Sequence, residues 1–217
     1  MYIGRFAPTP SGPLHFGSII SALASYLDAK HNNGLWKIRI DDLDSPRIKH
    51  GAELSILKSL ESLGLFWDGK VSRQSDNIKE YSRNFEIFNK KNLIYNCLCT
   101  RKKIGIVNST NINESSYNNH CRNKKYPSSN NSSVRLITNY KSIKFFDRIH
   151  GLQSHNVNNF SEDFIIKRSD QLYAYQLAVV VDDELQSVTN IVRGTDLLRS
   201  TIKQCYINNL LNFPEKT

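Results

Sequence analysis

An α/β fold that carries a polar insertion is the architecture that the sequence predicts, from three observations. Residues 2–6, a Pro/Gly-rich loop, a helical pattern over 17–34 and the strand "LWKIRI" follow one another as a strand–loop–helix–strand unit. From about Cys97 the chain becomes rich in Asn, Ser and Lys, and it holds three of the four cysteines there. Regular patterns resume near "DFIIK". We therefore divide the chain into residues 1–96, an insertion over 97–160, and residues 161–217.

Each remaining element is predicted by its spacing and by the residues at its ends. Ile19, Ile20, Leu23 and Leu27 recur at helical spacing, and "NNG" ends that helix. Further helices are predicted over residues 53–64, 75–92 and 195–211, and a strand over "SVTNIVRG", residues 187–194.

The predicted N-caps are polar residues at the helix starts. They are Ser75 or Asp76 for one helix, and Thr195 or Asp196 for the last one.

Composition bounds the class of protein. The 217 residues are 39% hydrophobic and carry 29 Lys and Arg against 20 Asp and Glu, a net charge of +9. This balance suits a nucleic-acid partner, and an AT-rich genome that inflates Lys and Asn explains it equally well. No apolar run reaches the ~18 residues that span a bilayer, and Pro and Gly break the N-terminus where a signal peptide needs an apolar core. We expect a cytoplasmic protein without a disulfide framework or a membrane segment.

The loop "APTPSGPLHFGS" has the features of an anion site. It joins a strand to a helix N-terminus, where unpaired N–H groups and the helix dipole favour a phosphate. Gly12 and Gly17 allow close approach of a phosphate to the backbone, and His15 offers a donor to it. The loop is neither G-x-G-x-x-G nor a P-loop, and His15 taken alone is better explained as a structural turn residue than as a phosphate donor.

Three segments together resemble a known family. "APTPSGPLHFGS" resembles the HIGH signature of class I aminoacyl-tRNA synthetases in its glutamyl form, "RIDDLDSPR" the acidic segment after the second strand, and "YAYQLAVVVDDELQSVTNIVRGTDLL" the block that lines the amino-acid pocket. The resemblance implies a Rossmann-like class I synthetase catalytic domain with a small inserted zinc-binding subdomain. It also implies L-glutamate and ATP, with Mg²⁺, as substrates.

The resemblance assigns roles to residues that match the family motifs. His15, Gly17 and Ser18 are implied as catalytic and ATP-binding residues. Asp41 stands where the family usually has Glu, so its shorter side chain reaches the α-amino group only after a shift or through water. The glutamate-binding residues implied are Arg5, Phe6, Ala7, Pro8, Thr9, Asp41, Tyr175 and Arg193.

Within the subgroup, the short chain and its start resemble the glutamyl-Q tRNA(Asp) synthetases. That family activates glutamate with ATP and attaches it to the queuosine base in the anticodon loop of tRNA(Asp), which is the implied partner here. Two alternatives stay open: a fragment of an ordinary glutamyl-tRNA synthetase, and a non-catalytic remnant. We expect a monomer.

The clustered cysteines predict one structural zinc site. Cys97, Cys99 and Cys121 offer three thiolates, and zinc takes four tetrahedral ligands. The fourth is Tyr117 or His120. The glutamyl-Q family pattern C-x-C followed by Y-x-x-x-C favours Tyr117, whereas the ordinary enzyme ends in C-x-H and Asn123 stands at that place. Cys205 is predicted to pack inside a helix.

Two further sequence features bear on activity. "RKK" at 101–103 and "RNKK" at 122–125 flank the cysteines, either as contacts for tRNA phosphates or as a solvated basic surface. The family's second signature, a KMSKS-like loop whose lysines stabilise the departing pyrophosphate, is absent from the sequence. The resemblance therefore implies a chain truncated before that loop, in which ligand binding is easier to predict than turnover.

Overall fold

The computed structural model describes residues 1–100, 104, 117–129, 131–139, 142–156 and 162–217. The strands are β1 (Ile3–Phe6), β2 (Leu35–Ile40), β3 (Ser72–Arg73), β4 (Ile94–Cys97), β5 (Ser133–Leu136), β6 (Ser142–Asp147), β7 (Gly151–Asn156) and β8 (Phe164–Lys167). The helices are α1 (Phe16–His31), α2 (Ala52–Ser62), α3 (Ile78–Lys90), α4 (Tyr175–Leu185) and α5 (Leu198–Leu211).

A parallel sheet in the order β1–β2–β3 forms the first half of the molecule. Arg5 pairs with Lys37 in register, and alternate residues of each strand point to opposite faces. The crossover from β1 to β2 is α1, as the predicted strand–loop–helix–strand unit requires.

The face of this sheet that meets α1 and α2 is apolar. Trp36, Ile38 and Ile40 are fully buried there with Ile56 and Leu60 of α2. Because an indole N–H needs a partner when it is buried, Trp36 donates to the Ser25 hydroxyl of α1 at 2.8 Å.

A second layer follows the parallel sheet. Strands β4, β5 and β8 form an antiparallel sheet, and β6 and β7 form a hairpin. Helices α3, α4 and α5 pack with them around a second apolar core that includes Leu136, Ile166, Leu177 and Ile207. Helix α4 joins the two halves, because it also meets the other face of the parallel sheet.

Two sequence predictions about elements are wrong. Residues 188–194 do not form a strand: the segment runs beside β1, and Ile3 N–H donates to the Thr189 hydroxyl at 2.9 Å where a ladder would use a main-chain oxygen. The predicted caps fail because a 3₁₀ turn precedes each helix. Helix α3 begins after Asn77 and α5 after Leu197, neither with a side-chain cap bond.

Among the helices that the structure describes, none combines the length and the apolar character that a membrane crossing requires.

Candidate active site

The loop from Ala7 to His15 joins the end of β1 to the start of α1. His15 is the N-cap of α1: its Nδ1 accepts the Ser18 N–H at 3.2 Å, and the Ser18 hydroxyl lies 3.0 Å from Nε2. A Cβ on Gly17 would stand 3.2 Å from the His15 ring, so a side chain there would displace the imidazole. His15 is exposed.

Arg5 lies at the end of β1 with only 5% of its surface exposed. Its Nε donates to Asp183 Oδ1 at 3.2 Å, its Nη2 reaches Asp183 Oδ2 at 3.5 Å, and its Nη1 donates to the Val192 carbonyl at 3.3 Å. A carboxylate that meets a guanidinium through both oxygens fixes its plane.

Asp41 follows β2 directly and meets a second buried arginine. Arg39 is fully buried, and its Nε donates to Asp41 Oδ1 at 2.7 Å while its Nη1 donates to Asp183 Oδ1 at 2.6 Å. The Asp41 N–H donates to the Pro8 carbonyl at 3.0 Å, which ties the end of β2 to the loop after β1.

Asp182 extends this charged layer toward α3. It is fully buried and accepts hydrogen bonds from Gln74, Asn77 and Tyr81, each at 2.7–2.8 Å. The Arg39 Nε lies 3.7 Å from its Oδ2. Three carboxylates and two guanidiniums therefore meet between the sheet and α4.

The pKa values of these carboxyl groups diverge according to their partners. Burial raises the pKa of Asp41, because the cation of Arg39 does not fully offset it. Burial also raises the pKa of Asp182 to about 6. For Asp183, burial is outweighed by the charges of Arg5 and Arg39, which lower its pKa below the ordinary value.

Tyr175 and Arg193 approach from the second half of the chain. Tyr175 is the first residue of α4 and is 40% exposed, so it is not a core aromatic. Arg193 is half-buried and its Nη1 donates to Gln204 Oε1 at 2.5 Å. Burial and the neighbouring charge of Arg5 lower the pKa of Arg193.

A cavity of about 620 Å³ opens beside Arg193, between α1, the β6–β7 hairpin and α5. Among the predicted glutamate residues, only Arg193 lines it. The remaining predicted residues differ in exposure: Phe6 is packed in the core, Pro8 is buried, Ala7 is half-buried and Thr9 is exposed.

The cysteine cluster has the composition of a metal site. The sulfur atoms of Cys97, Cys99 and Cys121 all lie within 4.8 Å of one another. The Tyr117 hydroxyl lies 3.5 Å from the Cys97 sulfur and accepts the Cys121 N–H at 2.9 Å. His120 is exposed and bonds Lys124 at 2.8 Å, so it does not join the cluster.

The basic segments beside the cluster are only partly described. Residues 101–103 lie outside the described residues. Arg122 is bonded to the buried Asp163 through both Nε and Nη2, so its guanidinium is engaged inside the protein.

Sequence reasoning missed Arg39, Asp182 and Asp183. The sequence did contain a pattern that indicates such a layer. In β2 and the residue after it, Lys37, Arg39 and Asp41 alternate with apolar residues, and β2 has a parallel strand on each side. Because such strands are normally apolar on both faces, the alternation points to a charged layer.

The fold is that of a class I tRNA synthetase catalytic domain. The chain matches the family described as "tRNA synthetases class I (E and Q), catalytic domain" over residues 3–217. Structural likeness agrees: a glutamate tRNA ligase from Elizabethkingia meningosepticum, solved in complex with its amino acid, is 26% identical with a TM-score of 0.85. That match covers 99% of this chain and 48% of the solved chain, so the chain spans about half the length of that structure.

Curated relatives narrow the family further. The glutamyl-Q tRNA(Asp) synthetase of Acinetobacter baylyi is 43% identical over 98% of this chain and 70% of its own length. The protein of the same name from Pseudomonas fluorescens is 45% identical over 99% of this chain and 70% of its own length. The chain belongs to the glutamyl-Q tRNA(Asp) synthetase family, and the resemblance seen in the sequence is confirmed.

Proposed function

We propose that the protein activates L-glutamate with ATP and transfers it to the queuosine base in the anticodon loop of tRNA(Asp). The observation that carries the proposal is the 43–45% identity to glutamyl-Q tRNA(Asp) synthetases over nearly the whole chain. The buried charges at the ends of β1 and β2 supply the chemistry that an amino-acid substrate needs.

Arg5 and Asp41 form opposite poles of the proposed glutamate site. Arg5 donates three hydrogen bonds to Asp183 and Val192, and we assign the other two of its five N–H groups to a substrate carboxylate. Asp41 binds Arg39 through Oδ1, so Oδ2 is oriented for an ammonium group. Tyr175 and Arg193 complete the glutamate contacts, and the backbone from Phe6 to Thr9 forms the wall between the poles.

His15, Gly17 and Ser18 form the proposed ATP side. In the activation step, a carboxylate oxygen of glutamate bonds to the α-phosphorus of ATP and pyrophosphate leaves. Negative charge on the phosphate oxygens faces the N-terminus of α1, where the helix dipole favours it. His15 donates there through Nε2, because its Nδ1 accepts the Ser18 N–H. ATP enters with Mg²⁺, which offsets the charge of the phosphates.

We propose that Cys97, Cys99, Cys121 and Tyr117 hold one structural zinc ion. Three sulfurs and a phenol oxygen, all from one short segment and the end of β4, fit the four ligands of a closed zinc site. When bound, zinc ties β4 to residues 117–121. Arg135 stacks 3.5 Å from the centre of the Tyr117 ring and holds it toward the sulfurs.

ATP–pyrophosphate exchange with L-glutamate separates the candidate functions. We expect exchange by the chain without tRNA. Exchange that requires tRNA would favour an ordinary glutamyl-tRNA synthetase, a candidate supported by the solved glutamate tRNA ligase. No exchange by a folded chain would favour a non-catalytic remnant.

The acceptor is tested with radiolabelled glutamate. We expect label on tRNA(Asp) that contains queuosine and none on the same tRNA with guanine at that position. Label on tRNA(Glu) would contradict the proposal.

Metal analysis tests the zinc site. We expect about one zinc per chain in the wild type and less than half of it in Cys99→Ala, because three ligands bind zinc more weakly than four. Cys205→Ala is the matched control, since Cys205 lies in α5 outside the cluster. A metal-free wild type would rule the site out.

A further inference from the structure

One carboxylate, Asp183 of α4, is shared by two arginines from adjacent strands. It accepts Arg39 Nη1 at 2.6 Å, and it accepts Arg5 through Nε at 3.2 Å and Nη2 at 3.5 Å. Arg39 in turn donates to Asp41 at 2.7 Å. The four groups thus form a continuous ion-pair chain in the order Arg5, Asp183, Arg39, Asp41.

Every member of this ion-pair chain is buried. Arg39 is 0%, Asp183 3%, Arg5 5% and Asp41 7% exposed. Water therefore does not loosen these contacts, and each group is held by the next one.

The two ends of this ion-pair chain have opposite charge, and they are the two groups that the proposed function assigns to glutamate. Arg5 lies at the end of β1, and Asp41 follows the end of β2. The two middle members connect them: Arg39 on β2 donates to Asp183 on α4, which also lines the cavity beside Arg193. The middle members therefore fix the distance between the two ends.

Stability alone does not account for such an arrangement. A buried ion network is often no more stabilising than apolar residues of the same volume. Here Arg39 also leaves its Nη2 without a hydrogen-bond partner among the described residues. An unpaired buried donor is destabilising, so stability does not explain why the arginine is kept there.

We propose that Arg39 and Asp183 are positioning residues that set the separation of Arg5 and Asp41, and so make the site selective for glutamate over aspartate. This inference rests on the proposed function, in which Arg5 takes the side-chain carboxylate and Asp41 the α-ammonium group. Aspartate carries the same charges on a side chain one methylene shorter. If the separation of Arg5 and Asp41 matches the two charged groups of glutamate, aspartate cannot contact both residues at once.

Arginine is required at position 39 because of its shape. A guanidinium donates in fixed directions, so one side chain orients Asp41 and Asp183 together. In Arg39→Lys the charge remains, but a compact ammonium on a flexible stem does not impose one geometry on two carboxylates.

The test is calorimetric titration of L-glutamate and L-aspartate into the 217-residue chain in the presence of a non-hydrolysable ATP analogue. We expect Arg39→Lys to weaken glutamate binding by about 10- to 100-fold, since ångström displacements in a site have effects of that order. Aspartate binding weakens far less, so the glutamate-to-aspartate selectivity falls by about 10-fold or more.

Lys37→Met is the matched control. Lys37 lies on the same strand and face, and its Nζ donates to the Gln186 carbonyl at the end of α4 at 2.8 Å, outside the chain of four. We expect glutamate affinity and selectivity within about twofold of the wild type, because none of the four members loses a partner.

Two further variants keep the test decisive if Arg39→Lys does not fold. Asp183→Asn removes the shared charge while keeping the shape. Gln186→Met removes the weaker acceptor of Arg39, at 3.3 Å, together with the Gln186 Nε2 donation to the Ser72 hydroxyl at 2.8 Å, and leaves no buried charge unpaired. Selectivity should fall in both, more in Asp183→Asn.

The outcomes separate this inference from the proposed function. A folded wild type that binds no glutamate overturns both. A wild type that binds glutamate, with variants that weaken glutamate and aspartate by the same factor, overturns the positioning role alone.

Discussion

On one face of the β1–β2–β3 sheet, Trp36, Ile38 and Ile40 pack against α1 and α2, and none of the three has an exposed surface. On the opposite face, Lys37 and Arg39 of the same strand make ionic and hydrogen-bonded contacts with α4. The two faces are equally well buried near Arg39, yet one is held by apolar area and the other by charges. We therefore expect the apolar face to contribute mainly to stability, and we assign the charged face to the proposed glutamate site.

We expect Trp36→Ala to destabilise the packing on the apolar face and to leave the contacts of the charged face intact. Loss of a large buried aromatic costs about 3–5 kcal/mol of unfolding free energy. Glutamate affinity, measured below the unfolding transition, should stay within about threefold, because no charged partner is touched. Urea unfolding and calorimetry check the two halves of this prediction, and a large loss of affinity would show that the faces are not independent.

The sequence predicted the two faces unequally. The apolar pattern of "LWKIRI" and the clustering of Cys97, Cys99 and Cys121 are visible in the sequence, so the strand and the meeting of the three cysteines were predicted from it. Tyr117 was favoured over His120 by the family pattern, and its hydroxyl lies beside the Cys97 sulfur. Asp183 comes from a helix buried over Leu177–Asp183, far along the chain. No local pattern indicates that its carboxylate meets Arg5.

The errors have a common physical origin as well. The Ile3 N–H donates to the Thr189 hydroxyl, and the Ile3 carbonyl accepts the N–H groups of both Thr189 and Asn190, so no regular ladder forms. At the helix starts, 3₁₀ turns take up the residues predicted as caps. In each case a tertiary or turn contact overrides a local propensity.

Arg5→Lys should damage the charged face with a smaller effect on stability. A lysine ammonium cannot keep the two-point contact with Asp183 and also donate two parallel hydrogen bonds to a substrate carboxylate. We expect glutamate affinity to fall by about 10- to 100-fold, equivalent to about 1.5–3 kcal/mol for hydrogen bonds to a charged group.

The control for Arg5→Lys is Arg73→Lys. Arg73 lies on β3 of the same sheet and pairs with Glu53 through two nitrogens on the exposed side. Its replacement should leave affinity unchanged. Equal losses in both variants would contradict a specific role for Arg5.

The pH dependence of stability gives the smallest effect. Burial raises the pKa of Asp182 to about 6, above the ordinary value of 3.8, so the folded state takes up a proton more readily than the unfolded state. The stabilisation from that proton is complete below pH 3.8 and is lost as the pH rises through 6.

Between pH 5 and 7.5 the wild type should therefore lose about 1.4 kcal/mol more unfolding free energy than Asp182→Asn, at one pKa unit per 1.36 kcal/mol. Urea midpoints at both pH values measure it. Identical pH profiles of the two proteins would show that Asp182 does not titrate in this range.

Binding of glutamate at the charged face of the sheet, as we propose, can be observed at its two guanidiniums by arginine side-chain NMR. In a chain labelled with ¹⁵N-arginine, the Nε–H signals of Arg5 and Arg39 are assigned from Arg5→Lys and Arg39→Lys. Titration with L-glutamate should shift both signals saturably, while the signal of Arg73 stays in place. Saturable shifts confined to other arginines, with Arg5 unchanged, would contradict the account.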